Sequence, residues 1–182
     1  MGRHGAYHVF RPLDVAAMRT AASLFLGDND FTPFSQPGSV AREPRRLITA
    51  CEVEVAPRGD SRGAAPSSFC GAAPPDAHPL RCWVRVRVTG SGFLYRQVRC
   101  MVGALLAVGL GWKTPTQVGE SLQGLAPPWP VLKPAPAKGL SLERVFYEGD
   151  GDAPPEALKR WRTARDKHNG FRGAGAAAAG GG

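Results

Sequence analysis

GFLYRQVRCMVGALLAVG, residues 92–109, carries the strongest helical periodicity in this 182-residue chain. Leu94, Val98, Met101, Leu105 and Val108 step by four, three, four and three, so they share one helix face and predict a core stripe. Arg96 and Arg99 sit three apart on another side, with Tyr95 one turn from Arg99. Gly109 suits the C-terminal end. Gly103 falls inside the run, where glycine costs about 1 kcal/mol against alanine. A glycine kept there points to a close approach by another part of the chain.

Upstream, RCWVRVRVTG (81–90) reads as a strand, with Cys82, Val84, Val86 and Val88 alternating with Trp83, Arg85 and Arg87. A second strand runs from Leu47 to Val55, where Cys51, Val53 and Val55 alternate with Glu52 and Glu54. Antiparallel pairing of the two brings the glutamates toward Arg85 and Arg87. Such pairs contribute about 0.2–1 kcal/mol each. The alternative for the same arginine row is a sheet face that meets phosphate.

A helix is expected over 12–26, from Met18, Ala22 and Phe25 with Pro12 early and Gly27 at its end. GDNDFTPFSQ then reads as a loop. Thr114-Pro115-Thr116-Gln117 has the form of a capping box and predicts a short helix from Pro115 to Gln123, stopped by Gly124. Leu140 to Tyr147 reads as a third strand with Leu140, Leu142 and Phe146 on one face. The expected class is α/β (α+β) in the order α-β-β-α-α-β, a small antiparallel or mixed sheet with helices on one face. The domain spans 9–147. Residues 56–79, rich in Pro, Ala, Gly and Ser, read as a floppy insertion. Residues 148–182 read as an acidic then basic tail ending in a low-complexity, disordered run. Within it, six Lys and Arg against Glu156 and Asp166 leave +4 over 156–172.

The chain carries 23 Lys and Arg against 15 Asp and Glu, a net charge of +8. That excess suits a polyanionic partner, or simply solubility. No apolar run reaches the roughly 18–20 residues a membrane span needs, and the first residues have no apolar core of a secretory signal. Cys51, Cys70, Cys82 and Cys100 show no C-x-x-C spacing, which argues against zinc. Cys51, Cys82 and Cys100 fall in apolar periodic segments and read as buried reduced thiols, which suits an intracellular compartment. Arg3, Arg11 and Arg19 with few nearby acids share a feature of mitochondrial presequences, discounted because the region is already helix. The chain has no nucleotide-binding, nucleophile-elbow or zinc-protease motif. Residues alone therefore reach a basic α/β domain that binds nucleic acid.

Four blocks take the reading further: AASLFLGDNDFTPFS (21–35), RLITACEVEV (46–55), GFLYRQVRCMVGALLAVG (92–109) and APAKGLSLERVFY (135–147). In order and spacing they resemble the C-terminal half of TruA-type tRNA pseudouridine synthases, over about 9–147. The resemblance implies half of a pseudouridine synthase fold and an isomerase of tRNA that needs no cofactor and no metal. Its members flip a uridine into a cleft, break the N1–C1′ bond and rejoin the uracil through C5. Arg99 matches the arginine that pairs with the catalytic aspartate, and Leu140 the apolar residue that packs on the uracil. Arg85, Arg87, Tyr95 and Arg96 are the expected RNA contacts. Further expectations are tRNA as partner, no membrane, a homodimer, and the mitochondrion as the finer location.

The family's catalytic Asp lies in an R-T-D-x-G-V-H-type segment that this sequence does not contain. Asp30 reads as a loop or capping carboxylate instead. The expectation is a truncated isoform, an incomplete gene product or a fragment, inactive alone and supplying Arg99 and Leu140. Because the family sheet crosses both halves, an unpaired edge is expected, with marginal solubility or a partner copy. The alternatives are a noncatalytic RNA-binding module and a basic interaction protein without an RNA role.

Overall fold

The computed structural model describes residues 6–36, 43–57, 82–125 and 133–147. Most of the proposed insertion, Cys70, and the tail after Tyr147 lie outside the described residues. Three helices, α1 (Val15–Ser23), α2 (Gln97–Gly109) and α3 (Pro115–Leu122), accompany an antiparallel sheet of β1 (Gly27–Asp30), β2 (Arg45–Pro57) and β3 (Cys82–Gly90) in the order β1-β2-β3. The chain order is therefore α-β-β-β-α-α.

The expected mixed α and β class is found, but its third strand lies elsewhere. The predicted strand over 140–147 does not form. Leu140 instead ends a 3-10 turn, Ala137–Gly139, and Leu142 is exposed, so that alternation faces no core. The strand comes from the predicted loop: Gly27 to Asp30 pairs with Ile48 to Arg45. Gly27, with φ 93, supplies the left-handed turn that leads from α1 into it. The Asp30 carboxylate accepts the Thr32 N–H at 2.8 Å, the capping role expected of it.

α1 is shorter than its apolar pattern because Asp14, rather than Pro12, starts it: the Asp14 carboxylate accepts the Ala17 N–H at 2.9 Å. In α3 both bonds of the predicted capping box are present, and Gly124 follows in the left-handed region.

The β2–β3 register pairs Glu52 with Arg87 and Glu54 with Arg85, as the alternation requires. The opposite face pairs Cys51 with Val88, Val53 with Val86 and Val55 with Val84, and it meets the core. Met18 and Ala22 from α1 and Phe25 just beyond it join Phe31 and Phe34 and the buried stripe Cys100, Met101, Ala104, Leu105 and Val108 of α2. Phe25, Phe31 and Phe34 form a ring cluster with centroids 5.1–6.4 Å apart. Each ring, removed from water, stabilises by about 1.5–3 kcal/mol. Cys51 and Cys100 are buried free thiols; Cys82 is exposed, contrary to expectation, at the first residue of β3, where the strand begins.

Candidate functional site

The predicted helix over 92–109 begins only at Gln97. Arg96 has φ 57, a left-handed conformation uncommon for a residue with a side chain, and it ends the preceding turn. Buried Gln97 builds that turn: its side-chain Oε1 accepts the Leu94 N–H at 2.7 Å, while the Gln97 N–H donates to the Leu94 carbonyl at 3.0 Å. Phe93, Tyr95 and Arg96 are thereby turned outward while Leu94 enters the core.

Tyr95 and Arg96 come together, with the guanidinium 5.0 Å from the ring centroid. Gln36 clips them down. Its N–H donates to the Tyr95 carbonyl at 3.4 Å, and its Oε1 accepts from Arg96 Nη1. No pattern in the sequence singled out Gln36.

Arg99, in the first turn of α2, is half-buried. Its Nε donates to the Ala135 carbonyl at 2.7 Å, and its own carbonyl accepts the Ala135 N–H at 2.9 Å. Gly103 makes that approach possible: a Cβ there would lie 2.3 Å from the Lys133 carbonyl oxygen. This is the close approach that a glycine inside the helix foretold. Among the described residues, no carboxylate pairs with Arg99.

Leu140 follows Ala135 by five positions and is about half exposed, 53 %, so it is open to a ligand rather than part of the core. Three residues later, Glu143 Oε2 accepts from Arg87 Nε at 3.0 Å. Arg87 also reaches Glu52 at 3.5 Å and Glu54 at 3.4 Å. The cross-strand ion pair is thus realised at Arg87. Its hydrogen bond holds the Glu143 carboxyl below the ordinary range, reinforced by the charges of Arg87 and Arg85; the same bond raises Arg87. The segment 135–143 is fastened to α2 at one end and to the outer sheet face at the other, with Leu140 between. Neither Ala135 nor Glu143 was singled out from the sequence; the hydrogen bond at Ala135 is made by backbone, which no side-chain pattern reveals.

The electrostatics at the start of α2 are positive. Burial raises the Cys100 thiol, while Arg99 and Arg96 pull it back. Lys133 lies two residues before the fastened segment and Lys138 on it, with the Lys138 ammonium 5.9 Å from the Tyr7 ring. The residues at the start of α2 suit an anion: Arg99 is a half-buried guanidinium, and the Tyr95–Arg96 stack just before it in the chain is exposed.

Comparison with known proteins gives the family. The profile of the tRNA pseudouridine synthase family matches residues 21–148, and the chain belongs to that family. It is 38% identical over 142 residues to human tRNA pseudouridine synthase-like 1, covering 78% of this chain and 43% of the relative. The mouse protein of the same name is 36% identical over 140 residues, 76% of this chain and 44% of its own length. The tRNA pseudouridine synthase A of Acetivibrio thermocellus is 33% identical over 145 residues, 80% of this chain and 49% of the bacterial one. The chain spans about half the length of the curated relatives it matches. Among the described residues, no helix is long and apolar enough to cross a membrane.

Proposed function

We propose that this chain supplies the C-terminal half of a tRNA pseudouridine synthase that isomerises uridine to pseudouridine in tRNA. Arg99 holds and orients a catalytic aspartate carried by an N-terminal half, Leu140 packs on the flipped uracil, and Tyr95, Arg96 and Arg85 face the RNA, while Arg87 is taken up by Glu52, Glu54 and Glu143. The observation that carries the reading is Arg99. It is half-buried and held through Nε by the Ala135 carbonyl, and no described carboxylate occupies it. The reaction is an isomerisation. The N1–C1′ bond breaks, the uracil turns, a C5–C1′ bond forms, the C5 proton leaves to solvent and N1 takes up a proton, so the atoms balance. A guanidinium beside the aspartate favours its ionised form. The domain of this half is residues 9–147.

Tritium release from tRNA labelled at uracil C5 tests the reading. Residues 1–182 alone give no release, and joining them to an N-terminal half bearing the R-T-D segment restores it. Release by residues 1–182 alone overturns the assignment of the aspartate to the other half. A noncatalytic RNA-binding module is the second reading, and the sequence upstream of Met1 decides between them: an in-frame R-T-D segment there favours the enzyme, its absence the binder. Its mark is tRNA binding without turnover even in the joined protein. A homodimer and a mitochondrial location are the finer parts of the proposal. The second leans on the likeness to the mammalian relatives. Sedimentation and organelle fractionation test them.

A further inference from the structure

We infer that Gly103 is a positioning residue for Arg99, and that it fixes the edge of the guanidinium through which a carboxylate must be held. The inference rests on the reading of Arg99 given above and adds its geometry. An arginine offers a carboxylate two kinds of two-pronged contact, one through Nε with an Nη and one through both Nη groups. The Ala135 carbonyl occupies Nε at 2.7 Å. That leaves the end-on edge, Nη1 and Nη2, for the partner.

The carbonyl stands there because the backbone of 133–135 lies directly on α2. A Cβ at 103 would sit 2.3 Å from the Lys133 oxygen and 3.6 Å from the Ala135 nitrogen. The first contact is with backbone, so a methyl group at 103 displaces the segment rather than a flexible side-chain end. The Ala135 N–H bond to the Arg99 carbonyl locks the same contact from the other side. The displaced segment is also the one that leads to Leu140, so one missing methyl group sets the guanidinium and the leucine together. Gly119 in α3 is the contrast: a Cβ there meets only Leu24 Cδ1, at 3.6 Å.

The test reads the arginine Hε signals of residues 1–182 by nitrogen–proton NMR, with Arg99→Lys identifying the Arg99 signal. In the unaltered chain, Arg99 Hε exchanges with water at least about tenfold more slowly than Hε of exposed Arg11, and it opens together with the Ala135 N–H. Gly103→Ala abolishes both protections while the α1 and β2–β3 amides stay protected; Gly119→Ala changes neither. Added acetate, as the probe carboxylate, shifts the Arg99 Nη signals and leaves Hε in place. Rapid Hε exchange in the unaltered chain overturns the inference without recourse to a variant that fails to fold. Retained protection in Gly103→Ala overturns the part assigned to Gly103. Normal protection with no turnover by the joined enzyme sinks the functional reading alone.

Discussion

The role proposed for Arg99 depends on a geometry that its surroundings specify and that lysine cannot reproduce. An ammonium has no planar fork; it can take the Ala135 carbonyl or a carboxylate, without the fixed two-pronged contact. Arg99→Lys in the joined enzyme should lower kcat by about a hundredfold or more while leaving most tRNA affinity, as misplacement of a catalytic group does. Equal losses in rate and binding would remove the role given to Arg99. Cys51 makes a different prediction. Burial, aided by the negative charge of Glu52, pushes its thiol from 9.0 up to about 12. Between those two values the unfolded chain loses the proton and the folded chain keeps it, so stability falls as pH rises above about 9. Denaturation midpoints should drop through that range, and Cys51→Val should flatten the alkaline part of the decline.

At the scale of elements, the long ones were legible and the short ones were not. β2, β3 and the body of α2 announce themselves through alternation or helical spacing, and Glu52 opposite Arg87 could be read from the alternation of two strands. β1 has four residues, Gly-Asp-Asn-Asp, all turn formers with no apolar member; tertiary pairing with β2 overrides their preference. Leu140 and Leu142 misled in the other direction, since alternation cannot distinguish a core strand from an exposed segment fastened by its ends. At the site, the side chains Arg99, Tyr95 and Arg96 were legible. Their supports are a backbone carbonyl and one glutamine, which no periodicity marks. Thr114→Ala deletes one bond of the capping box in α3 and should cost about 1 kcal/mol in chemical denaturation. A cost near zero would mean that the α3 end is held by packing alone.

At the scale of the molecule, β3 is an edge strand among the described residues and β1 covers only the first part of β2. Beside the uncovered part, Arg19 Nε donates to the Val53 carbonyl at 3.0 Å and blunts that margin. The outer side of β3 has no strand beside it among the described residues, so residues 1–182 should self-associate with rising concentration, and an N-terminal half should suppress this. Sedimentation that finds a monomer throughout would count against it. Binding to tRNA should weaken steeply with salt, because phosphate contacts release counterions; salt-insensitive binding would point to a partner other than RNA. The segment from Ala135 to Glu143 has a last consequence. Seven residues span two fixed anchors, so its length acts as a ruler. A single added residue must bulge outward and carry Leu140 off its mark, even with every neighbouring side chain unchanged.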